Sequence, residues 1–211
     1  MSDSADARFW DVRYAAATTP WDAGGIPLAL QGFASSMTGS PRVLIPGCGS
    51  GYEVGYLFDR GWDVLAIDFS VAAIAAARRV LGDRASALRE ADFFGFADDD
   101  VPFDIVYERA LLCALPPRLW PAYAARVAHL VRPGGLLAGF FFFDETATGP
   151  PFGTSPSALA ALLADRFALI ADDAVSDSLP VFAGRERWQV WQRIGDDPAG
   201  TPHHAPDGQD I

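Results

Sequence analysis

The chain has 211 residues and a mass of 22.6 kDa, with 50% hydrophobic and 20% charged residues, enough to bury the core of a single domain. Its formal net charge of −11 speaks against a nucleic-acid partner, because binding to a phosphate backbone rests on clustered Lys and Arg. All 16 basic residues are arginine, which excludes a Walker-type phosphate lysine, a Schiff base and a lysine general base.

Residues 1 to about 33 carry Trp10, Tyr14 and Trp21 around "TTPWDAGGIP", too aromatic for a solvated linker and too broken by Pro and Gly for a long helix. They are expected to fold over something. "RVLIPGC" then reads as a first strand, "YEVGYLFDRG" as a helix stopped by Gly61, and "WDVLAIDFS" as a second strand ending in an acid. "VAAIAAARRVLG" is a helix capped by Ser70 and closed by Gly82. "SALREADFF" is a weaker third strand, and "FDIVYER" a fourth after the acidic loop "ADDDVP". A helix from about Leu119 to Val131 ends at "RPGG", and "LLAGFFFFDE" is the next strand. A helix in "SPSALAALLADRF" and the strands "ALIADDAV" and "RWQVWQRI" complete the pattern. This rhythm predicts an α/β fold, a doubly wound and mostly parallel seven-stranded sheet with helices on both faces. The division expected is a lid over 1–33, a core over 34–194 and a disordered tail over 195–211, which carries no periodic apolar signal. His203 and His204 in that tail read as solvated rather than as metal ligands, and no metal is expected.

Two cysteines, Cys48 and Cys113, form no CxxC pair and no disulfide framework, which fits a reducing compartment. "MSDSADARFW" lacks the basic and apolar regions of a signal peptide. The longest apolar run, "GGLLAGFFFF", falls short of the roughly 20 residues that span a bilayer. The expectation is a cytoplasmic monomer with no membrane partner.

The glycine-rich turn "PGCGSGYEVG" between the first strand and its helix is the chemically informative stretch. With Asp68 ending the second strand about 20 residues on, it is the arrangement that holds a nucleoside-bearing ligand. Gly47, Gly49 and Gly51 would allow close backbone approach, and Asp68 would accept from ribose hydroxyls. Tight strand-to-helix packing also calls for glycine. The spacing G-x-G-x-G lacks the last glycine of a dinucleotide fingerprint. That counts against a nicotinamide-dependent oxidoreductase, which stays open with a non-catalytic nucleoside-binding protein.

The turn resembles motif I of the class I methyltransferases. The acid ending strand two, the Asp before aromatics in "EADFFGF" and "LVRPGGLLAG" before strand five follow in the same order. Together with the N-terminal aromatics, "PWDAGGIP", "LIPGCGSGYEV", "FDIVYERALLCALPP" and "TGPPFGTS", residues 9 to 193 resemble the thiopurine methyltransferase family, in particular its thiol and halide branch. The resemblance implies S-adenosyl-L-methionine as cofactor, S-adenosyl-L-homocysteine as product and a small-molecule acceptor. It further implies Trp10, Tyr14 and Trp21 as a cofactor lid, Gly47 at the methionine moiety, Asp68 with Phe69 at the ribose, and Asp92 with Phe93 at adenine. Arg109 follows strand four as a cofactor contact and candidate catalytic group. Tyr14 stands where members often carry Trp, and Arg109 where the halide branch has Tyr, closer to the thiopurine branch.

A soft anion such as a thiolate or halide is already nucleophilic, so methylating it requires no general base. His129 reads as a cation at a helix C-terminus. A hydroxyl or amine acceptor is the alternative and calls for a base, with Asp144 or Glu145 at the end of strand five as candidates. Cys48 and Cys113 read as packing residues, Glu108 as either a ligand contact or a strand-end group, and Phe143 and Phe152 as pocket wall.

Overall fold

Short runs rich in Val, Ile and Phe form strands, and the alanine-rich segments between them form helices, in a computed structural model that describes residues 3–22, 24–97, 101–146 and 148–195. Helices α1 (Ala7–Ala15) and α2 (Leu28–Ser36) precede strand β1 (Arg42–Pro46) and helix α3 (Tyr52–Asp59). Then come β2 (Asp63–Asp68), α4 (Val71–Leu81), β3 (Leu88–Glu90), β4 (Phe103–Arg109) and α5 (Trp120–Leu130). Strand β5 (Val131–Phe142), α6 (Pro156–Leu163), β6 (Phe167–Ala174) and β7 (Glu186–Arg193) end the described chain.

The seven strands lie in the order β3-β2-β1-β4-β5-β7-β6. The pairings from β3 through β5 are parallel, and β7 runs antiparallel between β5 and β6. The order reverses between β1 and β4, where the crossovers from the two strands leave toward opposite sides. In such sheets a crevice opens outside the strands' C-terminal ends at that point.

Strand alternation sends side chains to two apolar layers. Val43, Ile45, Tyr107 and Phe140 pack with Leu30 and Ala34 of α2, Val54 and Leu57 of α3, and Ile74 and Ala77 of α4. Leu44, Val106, Leu137 and Phe141 pack with Tyr123 and Val127 of α5 and Leu159 and Leu163 of α6. The phenylalanine run is therefore buried on both faces. Helix α4 starts as expected, with the Ser70 hydroxyl accepting from Ala73 N at 3.1 Å.

Three boundaries differ from the sequence reading. The edge expected at residue 33 falls inside α2, whose Leu30 and Ala34 are core residues, so α2 packs with the sheet while α1 lies against α4. The third strand is only Leu88–Glu90, because Asp92 accepts from Phe94 N at 3.1 Å and bends the chain into a turn. "RPGG" belongs to β5 rather than to a connecting turn. The backbone of β4 passes close by: a Cβ on Gly135 would lie 2.8 Å from the Asp104 carbonyl oxygen, and the β4–β5 register shifts between Phe103 and Ile105. Residues 196–211, with His203 and His204, lie outside the described residues. Among the described residues no helix is long and apolar enough to cross a membrane.

Candidate active site

The C-terminal ends of β1, β2 and β4 and the N-terminal segment enclose a cavity of about 350 Å³, within the range of small-molecule sites. After Pro46 the backbone turns through left-handed Gly47, Gly49 and Gly51 into α3. Two of these glycines answer to different constraints. A Cβ on Gly49 would stand 2.6 Å from the Tyr14 hydroxyl, so the N-terminal segment lies directly on this backbone. A Cβ on Gly51 would meet Ala77 and Leu81 of α4 at 3.2 and 3.3 Å, so this position also serves helix packing.

Asp68 organises this end. Its Oδ2 accepts from Gly49 N at 3.1 Å and its Oδ1 from Ser70 N at 2.9 Å, tying the glycine turn to the start of α4. Burial raises its pKa to about 6 in spite of these backbone donors. The Phe69 N–H is a third backbone donor, and a carboxylate's about four lone-pair positions still leave room for a ligand's hydroxyl. Phe69 is half-buried beside it and lines the cavity.

The N-terminal segment is fastened by polar contacts that the sequence did not reveal. Asp11 on α1 accepts from the Ser70 hydroxyl at 2.6 Å and from Ala72 N at 3.2 Å, so α1 is bonded to the N-terminus of α4. Asp22 accepts from the Ser50 hydroxyl and, through Oδ1, from Gly24 N at 2.9 Å. Trp10, Tyr14 and Trp21 form one cluster: the Trp10 and Trp21 rings meet edge-on at 5.3 Å, and Trp21 Nε1 donates to the Tyr14 hydroxyl at 3.3 Å. Burial pushes the Tyr14 phenol well up.

Asp92 and Phe93 both line the cavity, but the Phe93 ring is buried in the core against Tyr123 at 5.9 Å. Phe94 is the half-exposed aromatic of that turn. The "DFF" pattern showed that an aromatic belonged there without showing which ring turns inward.

The opposite end is built around Arg109, the last residue of β4. Its Nη1 lies 3.4 Å from Glu53 Oε1 in the first turn of α3, and its guanidinium stands 5.1 Å from the Phe140 ring. Both charged side chains are largely buried, 11% and 15% exposed. Burial raises the Glu53 carboxyl, and the Arg109 charge opposes that rise. Cys113, Pro150, Pro151, Val181 and Phe182 supply an apolar wall. Burial pushes the thiols of Cys48 and Cys113 well up, so neither is a ready thiolate.

Several expected site residues stand elsewhere. Asp144 does not line the cavity; it pairs with Arg185 at 2.5 Å and accepts from Thr146 N, and the Thr146 and Arg185 hydrogen bonds hold its carboxyl below the ordinary value. A carboxyl so depressed is a poor base. Glu145 is likewise absent from the lining. Glu108 points to the other side of β4 from Tyr107 and Arg109, and its Oε2 accepts from Leu111 N and Leu112 N. Its strand-end reading is therefore the one the structure favours, although burial lifts its pKa to about 7. Phe143 and Phe152 do not line the cavity: Phe152 N donates to the Cys113 carbonyl, and it is Pro150 and Pro151 that face the space. His129 is exposed in the last turn of α5.

The family model of the thiopurine S-methyltransferases matches residues 5–194. A probable thiol methyltransferase 2 of Arabidopsis thaliana is 31% identical over 157 residues, covering 70% of this chain and 68% of that protein. A thiocyanate methyltransferase 1 from the same plant is 27% identical over 195 residues, covering 88% and 84%. Among solved structures, one concerned with converting a disulfide bond into a thioacetal group during echinomycin biosynthesis superposes with a TM-score of 0.70. It shares 20% identity and covers 89% of this chain and 93% of its own. Magnesium protoporphyrin IX methyltransferase from Synechocystis PCC 6803, solved with bound S-adenosylmethionine, gives 0.61 at 16% identity, covering 89% and 79%. At such identities these two speak for the fold. A match running from the lid through β7 speaks for more: the chain belongs to the thiopurine S-methyltransferase family and is an S-adenosylmethionine-dependent methyltransferase.

Proposed function

We propose that the protein methylates the sulfur of a small thiol, or a comparably soft anion, in the cavity beside Arg109. One observation carries this reading: among the described residues, no free proton-accepting group stands beside Arg109. The lining contains no histidine, the carboxylate next to that guanidinium is paired with it, and Asp68, although raised to about 6 by burial, is tied to the glycine turn. Asp22 is bonded to Ser50, Glu53 to Arg109, Asp68 to Gly49 and Ser70, and Asp92 to Phe94. Alcohols and protonated amines require such a group, whereas a thiol reaches its reactive form through its own pKa of about 8.5. The names of the plant relatives, thiol and thiocyanate methyltransferases, agree with this class.

The sulfonium supplies an activated methyl group. The residues of this chain orient and enclose. Asp68 and Phe69 would hold the ribose, Asp92 with the Phe93–Phe94 turn would flank the adenine, and the backbone of Gly47, Gly49 and Gly51 would lie along the methionine part. The fit rests on Asp68, which lines the cavity together with the glycine backbone. Trp10, Tyr14 and Trp21 exclude water, which protects the in-line displacement. Arg109 lies toward the acceptor. The acceptor sulfur would meet that methyl group as a thiolate, its proton already released to solvent, so no residue of this chain has to take the proton.

The lid in this reading is α1 with the segment to Gly25, and α2 onward is the catalytic body. Two buried, unpaired cysteines suit a monomer working in the cytoplasm. Transfer of labelled methyl groups to a panel of thiols, thiopurines, thiocyanate and halides tests the reading. Rates with thiols are expected to rise with pH along each thiol's own titration, and rates with thiocyanate and halides, already anions, to show no such rise. A single inflection shared by all acceptors, or turnover confined to oxygen and nitrogen acceptors, overturns it.

A further inference from the structure

Arg13 and Arg109 are the cations lining the cavity among the described residues, and Arg13 is spoken for. Its guanidinium lies 3.4 Å from the Phe9 ring centroid and donates to the Phe9 carbonyl at 2.9 Å. Arg109 is thus the cation at the acceptor end, and it is not a bare charge. Glu53 lies 3.4 Å away in a largely buried pair, where the low dielectric makes each partner strongly felt by the other. Glu186, buried at the start of β7 and accepting from the Ser178 hydroxyl at 2.6 Å, also lies within the field of Arg109. The guanidinium Nε is buried without a hydrogen-bond partner, and the Tyr107 hydroxyl, two residues back on the same side of β4, is in the same state. Meanwhile Cys113, Pro150, Pro151 and Phe182 offer apolar contact only.

We propose that Glu53 is a specificity-determining residue: by pairing with Arg109 it fixes the guanidinium and cancels its charge, so the site selects acceptors by their apolar body and disfavours bare inorganic anions. The proposal deepens the function above and rests on that reading. An alkyl thiol is mostly neutral at pH 7 and gains its affinity from the apolar wall. A small anion has little apolar surface and needs an uncompensated cation. Glu53 occupies the first turn of α3 immediately after the glycine turn, where the helix dipole favours an acid, so its position is set by the same backbone that forms the cofactor end.

Glu53→Gln keeps the shape and removes the charge. Thiocyanate binding to the S-adenosylhomocysteine complex, measured by calorimetry at pH 7, is expected to tighten roughly 10-fold, because a buried unit charge is unmasked. The KM for an alkyl thiol is expected to move less than about threefold. The double variant Glu53→Gln/Arg109→Gln should lose the gain. A merely structural ion pair would shift thiocyanate and thiol alike, and that result overturns the proposal, as does unchanged thiocyanate binding. Loss of S-adenosylhomocysteine affinity by more than about 10-fold would mark Glu53 as a cofactor ligand and overturn it too. If Glu53→Gln does not fold, Glu186→Gln is expected to tighten thiocyanate in the same direction by a smaller factor, and no change there counts against the proposal. Because binding is read without turnover, its outcome stays distinct from a failure of the wild-type protein to methylate any thiol or anion.

Discussion

The two ends of the cavity, a cofactor end and an acceptor end under an N-terminal lid in the proposed function, are built by opposite means. At the cofactor end, a continuous stretch from Pro46 to Gly51 and the nearby Asp68 place backbone N–H groups and one carboxylate, joined by bonds within about one strand-helix-strand unit, with Asp11 and Asp22 of the N-terminal segment added across it. At the acceptor end, Arg109 with Cys113, Pro150 and Phe182 come from three separate segments, and side chains rather than backbone define the wall. A single local turn specifies a cofactor shared by many enzymes; a wall assembled from distant segments is free to change with the acceptor. The lid touches both ends, since Tyr14 closes on Gly49 while Trp21 packs in the cluster of Cys113 and Phe182.

Removing the lid should therefore break both ends at once and give the largest effect. A chain starting at Ile26 keeps α2 and its core residues Leu30 and Ala34, and is expected to retain its far-ultraviolet circular dichroism. Methyl transfer should fall by at least ~100-fold, because orientation and water exclusion are both lost. Near-normal turnover would show that the segment is not a lid.

Asp68→Ala attacks the cofactor end alone. Loss of a charged acceptor for backbone and ribose donors should weaken S-adenosylhomocysteine binding roughly 10- to 100-fold by calorimetry. A pH dependence follows from the same group. Its pKa is raised from 3.8 to about 6, so between those values the folded protein binds more protons than the unfolded chain. Its contribution to stability therefore falls as pH rises through that window, the burial penalty being absent below about pH 4 and complete above about pH 6. Ligand hydroxyls favour the ionised form, so cofactor affinity should drop as pH falls below about 6, and Asp68→Asn should flatten that dependence. A wild-type affinity unchanged from pH 7 to pH 5 would argue against the ribose contact.

How legible each end was follows from the same contrast. The order of strands and helices, the glycine turn, Asp68 and the Ser70 cap were readable because each is a local pattern with a local cause. Asp11 was not, since an Asp inside a short helix gives no sign that it reaches across to Ser70 and Ala72. Phe143 and Phe152 were assigned to the wall on aromatic character, yet the chain between them is set by long-range backbone pairing: Phe143 with Thr154, and Phe152 N with the Cys113 carbonyl. Glu53 carried a readable signal, an acid in the first turn after the glycines, but its partner 56 residues away did not.

Phe182→Leu attacks the acceptor end alone. Phe182 is buried, packs edge-on against Phe142 at 5.7 Å, and lines the cavity, so the shorter side chain loosens the wall while keeping it apolar. The KM for an alkyl thiol is expected to rise several-fold, up to about 10-fold, which matches the value of lost apolar contact in a pocket. S-adenosylhomocysteine affinity should stay within about twofold. Equal losses in both would mean that the ends are mechanically coupled, and the division drawn above would fail.

The smallest effect is expected at Asp144, which lies at the C-terminal end of the sheet but outside both ends of the cavity. Position alone suggested a base, since strand ends in such sheets bear ligands. The surroundings say otherwise: hydrogen bonds from Thr146 and Arg185 favour its ionised form and hold its pKa down, so it takes up a proton only under acidic conditions. Its oxygens are occupied by Arg185 and the Thr146 N–H rather than directed at the cavity. Asp144→Asn retains the shape and one acceptor, and turnover of a thiol should stay within about twofold of wild type across the accessible pH range. The informative comparison is between acceptors. If an alcohol or amine is methylated and Asp144→Asn abolishes that activity while sparing thiols, the side chain serves as a base for a second acceptor class. If both classes persist, Asp144 takes no part in proton removal, as its place outside the cavity implies.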